Sequence, residues 1–177
     1  GSTVYSGNDG GISVSTDAGV TWTTTGSVFP IMEFWSIDAA SSPSGMVFVG
    51  GTQDNAVVNT SNNGARWYYN RGGDGGGATI DKHAPGTQLV MVHSGSGVPH
   101  DIYRTTDYGM TWALTGVNRD RPGGRLANDN AAPTQFFLSN ANAVYRSIDA
   151  GVSWNRLGDS LPTTRIGSIS VGRRTGG

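Results

Sequence analysis

Four stretches decide the fold: STDAGVTW at residues 15–22, TSNNGARW at 60–67, TTDYGMTW at 105–112 and SIDAGVSW at 147–154. They are near-copies of one octapeptide, and their closing tryptophans, Trp22, Trp67, Trp112 and Trp154, stand 45, 45 and 42 residues apart. A fixed period of this length marks a repeat architecture and suits a four-stranded propeller blade. The octapeptide has a mechanical reading. Asp or Asn followed two residues later by Gly makes a turn, because the short side chain bonds nearby N–H groups and glycine accepts positive φ. The leading Ser or Thr adds a hydroxyl bond, and the Trp supplies an apolar anchor worth roughly 3–5 kcal/mol on truncation if buried. A calcium or sugar site repeated four times is the competing reading. It is weaker, since each copy offers one carboxylate and the second has Asn62 instead of Asp.

The flanks of each motif fit the same plan. Before it come TVYSG, MVFVGG, QLVMVHSG and QFFLSNA, read as second strands. GISVS, AVVNT, DIYRT and AVYRS follow as third strands with alternating apolar residues. After each Trp a short fourth strand is expected (TTTG, YYNR, ALTG, NRLG). Inner first strands are read in FWSIDAASSP, ATIDKHAPG, GRLANDNAAP and IGSISVGRR. No segment carries a helical apolar period, so the fold class is all-β: a β-propeller of four-stranded antiparallel blades, about four in this chain. The approximate repeats are 1–30, 31–73, 74–120 and 121–165, with 166–177 as the inner strand completing the first blade.

Composition narrows the function classes. The 177 residues are 36% hydrophobic and 14% charged with a formal net charge of −1, which gives no electrostatic reason to expect nucleic acid or an anionic membrane as partner. No stretch is long and apolar enough for membrane insertion as a helix. Twenty-eight glycines, scattered along the chain, fit many tight turns, and zero cysteines exclude disulfides and thiol chemistry. The chain opens at Gly1 in mid-pattern, as expected of an excised piece.

The octapeptides resemble the Asp-box, or BNR, repeat, S/T-x-D-x-G-x-T/S-W. Its residues here are Ser15, Asp17, Gly19 and Trp22; Asn62, Gly64 and Trp67; Thr105, Asp107, Gly109 and Trp112; and Ser147, Asp149, Gly151 and Trp154. Three copies fit fully, and the second departs at Asn62 and Arg66. Sialidases, sortilin ectodomains, photosystem II assembly factors and xyloglucan-cleaving hydrolases carry such boxes, so the resemblance implies a β-propeller without selecting an activity. VFVGGTQDNAVVNTSNNGARW and NRGGDGGGATID are similar to segments of secreted bacterial BNR-repeat proteins. That likeness implies a secreted or cell-surface bacterial protein.

Two closures fit the termini: a closed four-bladed ring, or four blades of a larger ring whose open edges would drive self-association between chains. Strand alternation places the loops between second and third strands, and those linking blades, on the face opposite the motif turns. That face would gather Asp9, Glu33, Gln53, Asp54, Asn55, Asp74, His100, Asp101, Arg119, Asp120, Arg121, Arg125 and Arg165, with Phe34 and Trp35 as exposed aromatics. The expected ligand is a glycan or a protein, bound by Gln53, Asp54, Asn55, Asp74, Trp35, Arg119, Arg121 and Arg125. The alternatives are a glycoside hydrolase, with Glu33, Asp54, Asp74 and Asp120 as its carboxylate candidates, and a structural assembly module. FPIM at 29–32 is only an echo of the sialidase FRIP segment, and no arginine triad with a Tyr–Glu pair accompanies it. GGDGGG around Asp74 lacks the P-loop and EF-hand patterns and reads as an inter-blade turn. QDN at 53–55 suits an Asx turn or a ligand contact equally. His83, His93 and His100 lack zinc spacing, and His93 reads as a core or interface residue. No cofactor is expected, calcium being the one candidate.

Overall fold

The computed structural model describes residues 2–8, 11–24, 32–55, 57–93, 100–115, 125–140, 142–162 and 166–172. Two compact units divide the chain, Gly1–Glu33 and Phe34–Gly177. The smaller holds one antiparallel sheet of three strands: β1 (Val4–Asn8), β2 (Gly11–Ser15) and β3 (Thr23–Thr24).

The larger unit is built from three antiparallel sheets of four strands, each a meander from inner to outer strand. The first runs β4 (Phe34–Ser42), β5 (Gly45–Thr52), β6 (Val57–Thr60) and β7 (Tyr68–Asn70). The second runs β8 (Asp74–Ile80), β9 (Gln88–His93), β10 (Asp101–Thr105) and β11 (Ala113–Leu114). The third runs β12 (Arg125–Asn128), β13 (Phe136–Asn140), β14 (Ala143–Ser147) and β15 (Asn155–Leu157). Among the described residues there is no helix, and the fold is all-β as the strand periodicity requires. The middle strands β5, β6 and β9 are buried on both faces: Val47, Val49, Val57, Val58, Leu89 and Val90 are fully buried and make near-continuous apolar runs. Outer strands of two or three residues leave only short free edges, which limits uncontrolled edge pairing.

Inner strands are protected differently. The N–H of Ala78 donates to Ser36 Oγ at 3.1 Å and that of Ile80 to Asp38 Oδ2 at 2.8 Å, so side chains of β4 satisfy the free edge of β8. Asp38 also pairs with Lys82, whose Nζ donates to the Ala39 carbonyl at 2.8 Å. Beyond β8, the fully buried Asp81 accepts N–H groups from His83 and Ala84, and from Thr134 of the next sheet at 2.8 Å. Residues 166–172 form no strand; Ile169, Ser170 and Val171 border a cleft of about 320 Å³ together with residues of β4, β8 and β12.

The octapeptide turns close each third-to-fourth-strand hairpin, and their chemistry repeats. In the third copy the buried Thr105 hydroxyl donates to Asp107 Oδ1 at 2.6 Å and accepts the Gly109 N–H at 3.0 Å. Asp107 in turn accepts the Thr111 N–H at 2.9 Å and its hydroxyl at 2.5 Å. The copies at Ser15 and Ser147 repeat this network. These bonds to the ionised carboxylate hold Asp17, Asp107 and Asp149 down at about 2. For Asp17 and Asp149 the bond from the seventh motif residue leads, and for Asp107 the bond from Thr105. Asn62 keeps the bonds to Thr60 (2.7 Å) and to the Arg66 N–H (3.0 Å), but Arg66 has no hydroxyl to complete the set. Two consecutive positive-φ residues shape every copy: Ala18–Gly19, Asn63–Gly64, Tyr108–Gly109 and Ala150–Gly151.

The tryptophan anchors are less buried than a core residue. Trp22 is 46% exposed, and Trp67, Trp112 and Trp154 are half-buried. Trp67 packs between Phe34 and Phe48, while Trp112 and Trp154 lie against the buried apolar clusters. The cost given for a fully buried Trp is therefore an upper bound at these positions.

Candidate functional site

The end of the larger unit opposite its motif turns carries the polar groups. Chain direction puts them there, since β5 and β9 end, and β8, β10 and β12 begin, at this end. Gln53–Asn55 follows β5 as a three-residue turn, with the Asn55 N–H donating to the Gln53 carbonyl at 2.7 Å and Asp54 held at φ 58°. A non-glycine residue at the centre of such a turn is strained, and strain of this kind persists only where surrounding contacts impose it. Here the Asp54 N–H donates to Asp74 Oδ1 at 2.9 Å.

Asp74 opens β8. The GGDGGG string is therefore not a turn throughout. Arg71–Gly73 turns, with Arg71 and Gly73 at positive φ, and Asp74 begins a strand whose register with β9 shifts between Gly75 and Ala78. The glycines serve close approach. A Cβ on Gly51 would meet the Gly76 carbonyl oxygen and lie 2.6 Å from the Gly75 carbonyl carbon. This proximity of the β5 and β8 backbones brings Asp54 within reach of Asp74.

His93, at the end of β9, lies 3.7 Å from Asp74 Oδ2 and edge-on to His100, with ring centroids 4.6 Å apart. It is half-buried at the polar end of its strand, beyond the buried Gln88–Val92, so of the two expected placements, core or interface, the core one is corrected. Burial pushes the His100 pKa down to about 4, assisted by His93 and the Arg125 charge and opposed by Asp74. His100 is thus a neutral imidazole at physiological pH, offering one donor and one acceptor. Arg125 opens β12 and its Nε donates to the Gly167 carbonyl at 3.1 Å.

Of the expected ligand-binding residues, Asp54, Asp74 and Arg125 fall in this linked group, with His93 and His100 joining them. Gln53 and Asn55 are half-buried in the strained turn itself. Trp35 is 49% exposed on a bulge between Phe34, paired with Thr52, and Ser36, paired with Gly51; this sets it at the same end as the turn. Glu33 is exposed at the end of the smaller unit. Asp9, Arg119, Asp120, Arg121 and Arg165 lie outside the described residues. Among the described residues no group of three or more His, Asp or Glu is arranged to hold a metal ion. The sequence reading missed the contribution of His93. Its signal was the polar end of QLVMVH, where a titratable residue closes an apolar strand next to a glycine-rich loop.

The chemistry gathered at this end is two carboxylates, a guanidinium, imidazoles and one exposed indole. Such a group orients hydroxyls and amides and gives a flat apolar face to stack on.

The chain matches no known protein family and no curated protein. Among solved structures it is similar to an ancestral GH74 enzyme, at 14% identity and TM-score 0.57, over 89% of this chain and 22% of that one. It is similar to the GH74 xyloglucanase of Xanthomonas campestris at 16% identity and TM-score 0.52, over 84% of this chain and 26% of the enzyme. It is also similar to YCF48 bound to D1 peptide, at 14% identity and TM-score 0.52, over 75% of this chain and 43% of YCF48. The chain therefore spans about a quarter of the length of these enzymes and under half of YCF48. Identities at this level speak to architecture alone, and with the meandering four-stranded sheets they establish the chain as a β-propeller fold.

Proposed function

We propose that this chain is a recognition module of a secreted or cell-surface bacterial protein, binding a glycan or protein ligand through the end opposite its Asp-box turns. One observation carries the reading: the strained turn at Asp54 is tied to Asp74, which continues through His93 and His100 toward Arg125, bringing polar groups of three sheets together at one end. Backbone strain and partly exposed charge maintained together cost stability, which fits a ligand site better than a structural joint. The likeness to a xyloglucanase supports a glycan, and that to a peptide-bound YCF48 supports a peptide.

The test is binding to glycan and peptide arrays by wild type, Asp54→Ala and Asp74→Ala. The reading expects a ligand whose affinity falls at least about tenfold in either variant while melting temperature holds. Full affinity in both variants would move the site elsewhere. The neighbouring carboxylates Asp54 and Asp74 also favour a second reading, a glycoside hydrolase, since that chemistry uses an acid and a base on either side of the scissile bond. Release of reducing ends from xyloglucan, abolished by either alanine, would decide for it.

A further inference from the structure

The second motif copy differs from the others at its glycine. In the other three the hydroxyl that opens the motif accepts the glycine N–H: Gly19 donates to Ser15 Oγ at 2.7 Å, Gly109 to Thr105 Oγ1 at 3.0 Å and Gly151 to Ser147 Oγ at 2.8 Å. In the second copy the Thr60 hydroxyl donates to Asn62 Oδ1 and accepts only the Asn62 N–H, at 3.4 Å. The Gly64 N–H has no partner among the described residues. Before this unbonded amide stands Asn63, and Asn63–Gly64 is the one Asn-Gly step in the chain.

The Asn63 side chain is placed as an electrophile. Its Oδ1 accepts the Met46 N–H at 2.7 Å, while its own N–H donates to the Met46 carbonyl at 3.1 Å. Gly45 makes room for the amide, since a Cβ there would stand 2.6 Å from both Oδ1 and Nδ2. The donor on Oδ1 draws electron density from Cγ and lies where negative charge grows when Cγ is attacked. Nδ2 carries no hydrogen bond among the described residues, and glycine at the next position has no side chain to hinder attack. All of these groups lie between Gly45 and Trp67, within one sheet and its turns.

We propose that Asn63 is a site of spontaneous deamidation. The Gly64 nitrogen gives its proton to hydroxide and bonds to Asn63 Cγ; the Cγ–Nδ2 bond breaks, and Nδ2 takes a proton from water and leaves as ammonia. The five-membered succinimide then adds one water. Breaking the new N–Cγ bond gives Asp, and breaking the original peptide bond gives isoaspartate, whose main chain runs through Cβ and Cγ. Nothing is oxidised or reduced. The Asp product keeps an oxygen for the Met46 N–H and adds a negative charge. The isoaspartate product lengthens the main chain inside a turn of two consecutive positive-φ residues and loosens the hairpin between β6 and β7. The second motif thus marks the age of the folded molecule.

Incubation of the folded chain at neutral and mildly alkaline pH, followed by peptide mapping with mass spectrometry, reads amide-to-carboxyl conversion at each asparagine. Asn63 should convert at least about fivefold faster than any other asparagine, with a rate that rises with hydroxide and with isoaspartate among the products. The structural arm is the double variant Asn62→Asp with Arg66→Thr, two exposed positions whose replacement completes the motif as it stands where the glycine N–H is bonded. Incubation in urea gives the unfolded rate of each protein. The folded-to-urea rate ratio of Asn63 should fall at least about fivefold in the double variant, the worth of one hydrogen bond on the attacking group. A wild-type Asn63 no faster than the other asparagines overturns the proposal, as does a rate ratio unchanged in the double variant.

Discussion

Gly109→Ala and Gly64→Ala should differ sharply, although both put a methyl group on the same turn position. Gly64 has φ 80° and Gly109 φ 83°, so the backbone penalty is the same, about 1 kcal/mol. Their surroundings differ. A Cβ on Gly64 would meet only Trp67 Nε1, at 3.8 Å, which is ordinary contact. On Gly109 it would collide with the Asn59 amide, its Cγ being 2.7 Å away. Asn59 is 2% exposed, donates to the Tyr108 carbonyl and accepts from Asn70 Nδ2, so displacing it breaks two buried hydrogen bonds. At about 1.5 kcal/mol each, including the groups left unpaired, that adds about 3 kcal/mol and brings Gly109→Ala to about 4 kcal/mol.

For a chain of this size those costs translate to melting-temperature losses of about 8–16 °C for Gly109→Ala and about 2–4 °C for Gly64→Ala. Calorimetry with matched urea titrations reads both. The double variant Asn59→Ala with Gly109→Ala should be at least about 1 kcal/mol less destabilised than the sum of its singles, because each removes what the other clashes with. Equal losses for the two glycines, or strict additivity in the double variant, would refute the idea that the motif turn is seated on the preceding sheet.

Acid should weaken the molecule through its turns. The carboxylates of Asp17, Asp107 and Asp149 titrate at about 2 when folded, below their value of 3.8 as free groups, so their stabilisation is complete above about pH 4 and disappears as pH falls through about 2. Melting temperature should drop across that window, and Asp107→Asn should make the drop shallower; an unchanged slope would disprove it. Asp81→Ala should cost about 3 kcal/mol in urea unfolding, since three N–H groups including that of Thr134 lose a buried carboxylate. Arg71→Lys should cost under about 1 kcal/mol. The guanidinium stacks 4.3 Å from the Tyr103 ring and donates to the Trp112 carbonyl at 2.9 Å, but it is exposed.

The strand plan was legible because each strand sits in a repeat whose punctuation is local. MVFVGG, AVVNT and YYNR map onto β5, β6 and β7, because apolar alternation and the Asn62–Gly64 turn act within a few residues. What escaped depends on neighbours distant in sequence. GGDGGG looks like a turn from its composition, yet Asp74–Gly77 lies in a strand because Gly51, more than twenty residues earlier, needs bare backbone against it. Lys82 and Asp38 gave no local signal either, since their pairing exists only where two inner strands run side by side. His93 reads as core or interface from its four apolar predecessors, Leu89–Val92, and leaves the core because its strand ends beside Asp74 and His100.

That division also explains why the octapeptide, the strongest signal in the chain, is silent about ligand. The polar side chains it repeats are committed to the turn, the leading hydroxyl to Asp and Gly and the carboxylate to the seventh residue, and in two copies the fourth carbonyl accepts from Asn59 or Arg104 of the preceding sheet. Groups already satisfied in the folded state have little left to offer a ligand. The opposite end differs in each sheet, with a strained Asp54 turn on one, an Asp74–His93–His100 run on the next and Arg125 on the third. Substitutions in the turns should therefore read out as stability with affinity intact per folded molecule. Substitutions at Asp54, Asp74 or Arg125 should do the reverse, and any residue moving both together would have to lie on a path between the two ends, such as β8.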